Sequence, residues 1–283
     1  MADEQDGQQT ARDAALTGGP TGFDPQGARV LLTGASSGIG AALAVRLAEE
    51  GATLGLVGRD GHRLAHTLAA CESHSGGHRQ WVCDLADWGA LDALAADVLA
   101  WGGVDCLINN AGIPKHKGVL DLDPETVDLV MRVNYSAPVR LTLALLPHMV
   151  ERGSGRVVMV SSVAATLSSP GEGAYDASKA ALSVFSEAMA IDLWDHGTRV
   201  NIVYPGVVDT PLFLVPDNDP LSPDIEKISV AEFVDGMMAG LAEDRLEIYV
   251  PAFFHDIAKG KAQNVGGFIA GSVQWIRQQR AKS

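Results

Sequence analysis

Val30-Leu31-Leu32-Thr33-Gly34-Ala35-Ser36-Ser37-Gly38-Ile39-Gly40 opens the first structured stretch of the chain. It begins as a short apolar run, passes through a loop of glycine and serine, and continues from Ile39 in a helical pattern to Glu50. Strand, tight loop and helix in that order bring a helix N-terminus to a strand tip, where free N–H groups and the helix dipole attract negative charge. A pyrophosphate reaches that backbone only if no side chain intervenes, which is the reason for the glycines. The stretch predicts a dinucleotide-binding turn at the start of an α/β fold.

The same rhythm continues downstream. Short apolar runs at 54–57, 81–83, 104–108, 156–160, 200–203 and 248–250 read as strands buried on both faces. Helical patterns at 39–50, 91–101, 124–150 and 175–196 separate them. Each parallel crossover needs a helix, so the expectation is an α/β, doubly wound (Rossmann) parallel sheet of about seven strands in three layers, ordered near 3-2-1-4-5-6-7. One domain over 27–250 accounts for it. Residues 1–26 carry five acids (Asp3, Glu4, Asp6, Asp13, Asp24) against one base (Arg12) and read as a mobile tail. Residues 251–283 read as a C-terminal extension.

With 283 residues, 47% apolar and 20% charged, the composition is globular. A formal charge of −14 repels phosphate backbones and anionic lipid, arguing against nucleic-acid binding and membrane contact. Three cysteines form no disulfide framework and point to a reducing, cytoplasmic setting. The acidic, polar start at 1–7 does not read as a signal peptide, and no run of about 18 apolar residues is present to span a bilayer.

The glycine spacing Thr-Gly-x-x-x-Gly-x-Gly resembles that of the short-chain dehydrogenase/reductase family, in its short single-domain branch. Further elements follow in order. Asn109-Asn110-Ala111-Gly112 comes after the fourth strand, Asn134 lies in the next helix, and Ser161-Ser162 ends the fifth strand. Tyr175-Asp176-Ala177-Ser178-Lys179 supplies Tyr-x-x-x-Lys, and Tyr204-Pro205-Gly206-Val207-Val208-Asp209-Thr210 matches the loop against the nicotinamide. The resemblance implies an NAD(P)-dependent oxidoreductase on a ketone or secondary alcohol, with Asn134, Ser162, Tyr175 and Lys179 catalytic. It also implies cofactor contacts from Gly34, Ser36, Ser37, Gly38, Ile39, Gly40, Arg59, Asp84, Leu85, Asn110, Ala111, Gly112, Tyr175, Lys179, Pro205, Gly206, Val208 and Thr210.

The second strand ends in Gly58-Arg59-Asp60. An acid at the tip selects NAD through the ribose 2′-hydroxyl, and an arginine accommodates a 2′-phosphate. Gly58 and Arg59 therefore favour NADP(H) while leaving NAD(H) open. The basic residue of many NADP-linked relatives within the glycine loop is replaced by Ser37. Asp84 is placed to meet the adenine amino group or to cap the next helix.

Tyr175 and Lys179, four apart, share one helix face. An ammonium beside a phenol favours the phenolate, so Lys179 is expected to lower the Tyr175 pKa from its ordinary value near 10. Ser162, 13 residues before Tyr175, is preferred to Ser161, because adjacent strand residues point to opposite faces. The resemblance gives Lys179 a second role on the nicotinamide ribose and gives Asn134 a water that links Lys179 to solvent.

Cys71, His74, His78 and Cys83 are spaced as a metal site would be, yet read as buried strand and loop residues; no metal is expected. His62 and His66 read as a solvated face, and Cys106 as core. The segment 211–229, with Leu212-Phe213-Leu214-Val215, is expected to form an apolar lid, which suggests a hydrophobic substrate. The extension is expected to cover the pocket, pack between subunits or rest on a membrane, the last disfavoured by Gly266-Gly267. The family's habit implies a homodimer or homotetramer. A dinucleotide-holding sensor or scaffold is the alternative, although it has no need of serine, tyrosine and lysine together. A sugar-nucleotide epimerase or dehydratase calls for a different glycine spacing and a larger C-terminal domain.

Overall fold

A computed structural model describes residues 22–219 and 225–282. Along the chain run β1 (Arg29–Thr33), α1 (Gly38–Glu49), β2 (Thr53–Gly58), α2 (Gly61–Glu72), β3 (Arg79–Val82), α3 (Trp88–Ala100), β4 (Cys106–Asn109) and α4 (Pro124–Met131). A π-helical turn (Arg132–Ser136) leads into α5 (Ala137–Arg152), then β5 (Gly155–Val160), the short α6 (Ala164–Leu167), α7 (Gly173–Asp192) and β6 (Thr198–Pro205). After a 3₁₀ turn (Pro211–Leu214) come α8 (Val230–Ala242), β7 (Glu247–Val250), α9 (Phe254–Gln263) and α10 (Val265–Lys282). All seven strands are parallel, in the order β3-β2-β1-β4-β5-β6-β7.

Strand periodicity divides the core between the two faces. Val30 and Leu32 of β1, Cys106 and Ile108 of β4, and Val158 and Val160 of β5 pack with Leu43 and Leu47 of α1 and with Phe233, Met237 and Leu241 of α8. Leu31, Leu107, Val157 and Val200 lie in register across four strands and pack with α3, α5 and α7 through Leu94, Leu145 and Leu182. Burying side chains of this size stabilises the fold by roughly 1.5–3 kcal/mol each, which is why a run apolar at every position specifies a strand covered twice.

Short polar residues start the helices. Asp60 accepts from the Arg63 amide, Asp87 from those of Gly89 and Ala90, Asp123 from that of Thr126, and Ser229 from that of Glu232. Asp87, not Asp84, therefore caps α3; Asp84 instead accepts from the Ala86 amide at 3.0 Å.

Several sequence-based boundaries shift. The third strand is Arg79–Val82, an edge strand with one neighbour, so Val82 is exposed and Cys83 falls just past its end. The helix expected over 124–150 is divided by the π turn that holds Asn134. Of the expected tail, residues 1–21 lie outside the described residues. The rest is docked: the Phe23 amide donates to the Leu241 carbonyl at 2.9 Å and its ring packs on the core, an apolar anchor the acidic composition concealed.

The C-terminal extension forms two helices. They part at Asn264, whose side chain accepts from the Gly267 amide at 2.9 Å and so begins α10; Gly266 and Gly267 lie inside that helix rather than breaking it. Lys261 donates to the Thr166 carbonyl at 2.6 Å and to the Ser168 hydroxyl at 2.7 Å, fastening α9 against α6. Among the described residues, no helix is long and apolar enough to cross a membrane.

Candidate active site

A cleft of about 720 Å³ runs along the carboxyl ends of the strands, where doubly wound sheets bind ligands. The β1–α1 loop forms one end. Gly34 adopts φ +70°, and a Cβ on Gly40 would stand 2.1 Å from the Gly34 carbonyl oxygen, so the loop closes only on glycine. Ser37 begins α1 with an extended backbone and no side-chain cap, leaving the first N–H groups of the helix facing the cleft. Thr33 ties this end to β4, its hydroxyl accepting from the Asn110 and Ala111 amides at 3.0 Å each, while Asn110 Nδ2 donates to the Thr33 carbonyl. A bare loop, a helix start and a sheet-braced floor fit a pyrophosphate.

Every cofactor-contact residue expected from the sequence lines this cleft, from Gly34 through Asp84 and Leu85 to Pro205, Gly206, Val208 and Thr210. At the β2 tip, a Cβ on Gly58 would meet Ser36 at 3.1 Å, which leaves little room for an acid. Arg59 lies beside it, and so does Arg63, a residue the sequence reading missed. Its signal was the spacing of four from Arg59 with Asp60 as the intervening cap. Asp60 also lines the cleft, but its carboxylate is engaged by the Arg63 amide and Nε, which hold it below the usual carboxylate range. Two guanidinium groups and a neutralised acid suit a 2′-phosphate.

At the middle of the cleft Ser162, Tyr175 and Lys179 converge. Ser161 and Ser162 follow β5 and diverge. Ser161 turns into the core, bonded to the Ser183 hydroxyl at 2.8 Å and to the Lys179 carbonyl at 3.0 Å. Ser162 faces the cleft, where its hydroxyl accepts from the Ala164 amide at 3.1 Å and meets the Tyr175 phenol. Lys179, one turn along α7, is buried; its Nζ donates to the Val160 carbonyl at 2.9 Å and lies 5.8 Å from the Tyr175 ring centre. Asn134 is fully buried in the π turn. Its Oδ1 accepts from the Ile113 amide at 2.8 Å, and its Nδ2 donates to the Ile113 carbonyl and the Ser178 hydroxyl. The amide is thus satisfied and braces the chain after β4.

The electrostatics depart from expectation in one respect. Burial pushes the Tyr175 phenol above its ordinary range; the Ser162 bond pulls it down, and the Glu172 and Asp176 charges push it up again. Burial also lowers the Lys179 ammonium to about 8. The expected lowering of Tyr175 by Lys179 is not found in the protein alone: burial is the largest influence, and the lowering comes from the Ser162 bond.

Toward solvent the cleft is walled by Pro114, His116, Glu172, Leu212, Val215, Ile225 and Trp275. Trp275 brings α10 of the extension to the wall of the pocket. Part of the expected lid, 220–224, lies outside the described residues. Of Cys71, His74, His78 and Cys83, Cys83 lines the cleft and the other three do not. His78 accepts from the Leu54 amide at 3.0 Å, His74 faces Glu49, and Cys71 and Cys106 are core thiols pushed up by burial to about 11 and about 12.

The family model described as short chain dehydrogenase matches residues 28–217. A fatty acyl-CoA reductase of Acinetobacter baylyi is 38% identical over 190 residues, covering 66% of this chain and 64% of that protein; the chain spans less than two-thirds of the length of such curated relatives. A short-chain dehydrogenase from Sphingobium yanoikuyae, solved in complex with NADPH, superposes with a TM-score of 0.76 at 31% identity, over 84% of this chain and 94% of that one. A bulky-bulky ketone specific alcohol dehydrogenase from Comamonas testosteroni gives 0.73 at 26% identity, over 86% and 94%.

Proposed function

The chain belongs to the short-chain dehydrogenase/reductase family, and on that premise we propose that it is an oxidoreductase that prefers NADP(H) and interconverts a hydrophobic ketone and a secondary alcohol. The observation that carries this reading is the convergence of Ser162, Tyr175 and Lys179 beside a glycine cradle and a pair of arginines in one cleft. The NADPH bound by the Sphingobium relative and the bulky ketone named for the Comamonas enzyme support it by analogy.

A nicotinamide bound in the cleft would supply a hydride to the carbonyl carbon of the ketone. Ser162 donates a hydrogen bond to the carbonyl oxygen and holds it near the Tyr175 phenol. Tyr175 donates its proton to the oxygen as charge develops there, and the alcohol forms. Lys179 would hold the nicotinamide ribose and carry the positive charge that steadies the resulting phenolate, whose proton is restored from solvent, while Asn134, its amide engaged by Ile113 and Ser178, braces the chain after β4. A phenol raised by burial is a competent proton donor for reduction; its work as a base in alcohol oxidation calls for the added positive charge of the oxidised ring. We also infer a homo-oligomer, supported by the apolar residues Leu143 of α5 and Val184 and Ile191 of α7, which are left exposed.

The test is NADPH and NADH oxidation by the purified protein against a panel of ketones. Turnover with NADPH should exceed that with NADH, and Tyr175→Phe should lower kcat about 10²- to 10⁴-fold with cofactor binding retained. Activity that survived the substitution would remove Tyr175 as the acid. Cofactor binding without turnover of any carbonyl would favour a sensor.

A further inference from the structure

On the substrate side of the cleft, away from the Arg63–Asp60 pair of the cofactor end, the described residues include a His–Glu ion pair. His116 Nδ1 and Glu172 Oε1 lie 2.9 Å apart, their side chains 10% and 14% exposed, and both residues line the cleft. Around them the outer cleft is largely apolar: Pro114, Leu212, Val215, Ile225 and Trp275. A charged pair set among such residues is costly unless it is held and used, since desolvation weakens the benefit of the pairing itself.

The pair is held from both sides. The His116 amide donates to Asn218 Oδ1 at 2.7 Å and its carbonyl accepts from the Asp219 amide at 2.8 Å, so the lid fixes its backbone. Glu172 immediately precedes α7, and the loop before it is tied across the cleft by the Lys117 amide donating to the Gly171 carbonyl at 2.6 Å. Glu172 Oε1 is occupied by the imidazole. Its side chain, 14% exposed, lines the cleft, and no hydrogen bond to Oε2 is found among the described residues. A carboxylate with one oxygen clamped in the wall of a ligand space is an acceptor aimed by its partner. Asp176, one turn along α7, lies behind it; one Asp176 oxygen accepts from the Ser169 amide at 2.7 Å, and the other is buried without a hydrogen-bond partner among the described residues. Asp219 also lines the cleft. Glu172 and Asp219 thus place two carboxylates along this stretch of the wall, beside His116.

We propose that the His116–Glu172 pair is the specificity determinant of the substrate cleft, with Glu172 Oε2 accepting a hydrogen bond from a hydroxyl or ammonium group that the substrate carries away from its reacting carbonyl. The inference rests on the ketone reductase reading and narrows it: the substrate is an apolar ketone with one remote donor group, and analogues with a carboxylate in that place are rejected. His116 is a positioning residue that keeps Glu172 in this orientation.

The experiment compares methyl ketones bearing a terminal hydroxyl two to six carbons from the carbonyl with their deoxy and terminal-carboxylate analogues, in the NADPH-loaded wild type, Glu172→Gln and His116→Phe. Thermal melting and NADPH titration establish that each variant is folded. In the wild type, at least one chain length should be preferred over its deoxy analogue by about 10- to 100-fold in kcat/KM, as expected for a hydrogen bond to a charged acceptor. The preference should reside in KM, because a contact remote from the reacting carbon is made equally before and during the reaction. Glu172→Gln should bring the ratio close to one, and His116→Phe should reduce it. A wild-type ratio near one at every length, an unchanged ratio in Glu172→Gln, or a preference for the carboxylates overturns the assignment while leaving the reductase reading intact. Failure of every ketone to be reduced removes both.

Discussion

Asp176 shows how a single carboxyl in this site can act on the whole protein. Its side chain is buried, and burial first, then the charge of Glu172, pushes its carboxyl up to about 7. A carboxyl raised in the native state binds a proton there that the unfolded chain has already released, so stability falls as pH rises from about 4 to about 7 and stays lower above that. Asp176→Asn should abolish this loss. Scaled for its partial solvation, the gain at pH 8 is about 1–2 kcal/mol, a rise of a few degrees in Tm. At pH 4, where the wild-type carboxyl is protonated, the two proteins should melt together; thermal melts at the two pH values check this. At this scale the grouping was legible in part: Ser162, Tyr175 and Lys179, picked out by motif spacing, line one cleft, whereas Asn134, grouped with them, is buried outside its lining. The direction of the Tyr175 shift was not, because it depends on how deeply the phenol is buried, and burial is a property of the assembled fold. Arg63, His116 and Glu172 escaped for the same reason: no local pattern sets them apart from surface charges.

Among elements, the lid and the loop after β4 are coupled by few but specific contacts. Lys115 Nζ donates to Asp217 Oδ2 and Lys117 Nζ to Asp217 Oδ1, each at 2.8 Å, with Asp217 at φ +61°. The fork holds the Asp217 carboxyl down to about 2. Asp217 is exposed, so each ion pair contributes little alone. Asp217→Ala should loosen the lid and raise KM for ketones about two- to fivefold with kcat kept or increased, and high salt should bring the wild type toward the variant. Steady-state kinetics at two ionic strengths decide it. The order of strands and helices was readable from periodicity because each buried strand is apolar at every position. The π turn at 132–136 was not, since the apolar pattern continues smoothly through it. Nor was the docking of α9 and α10, which depends on long-range partners such as Thr166 and Ser168 for Lys261.

The whole molecule leaves an apolar face where α5 and α7 meet solvent. Val184 is 63% and Ile191 74% exposed, in a chain whose charge of −14 would otherwise keep copies apart. Burying that face between subunits explains both. Val184→Glu should convert the assembly to single chains in size-exclusion chromatography with light scattering, whereas a wild type that already elutes as a monomer would contradict the proposed oligomer. The sequence offered no view of this surface, because exposure follows from how the layers stack. The family match ends at residue 217, yet Ile225 and Trp275 beyond it help to enclose the ligand space. Part of the wall of the ligand space is thus contributed from outside the segment that carries the family match. An evolving lineage is free to exchange the terminal cassette and acquire new clients while the reaction centre stays untouched, and a protein engineer can graft at the same seam.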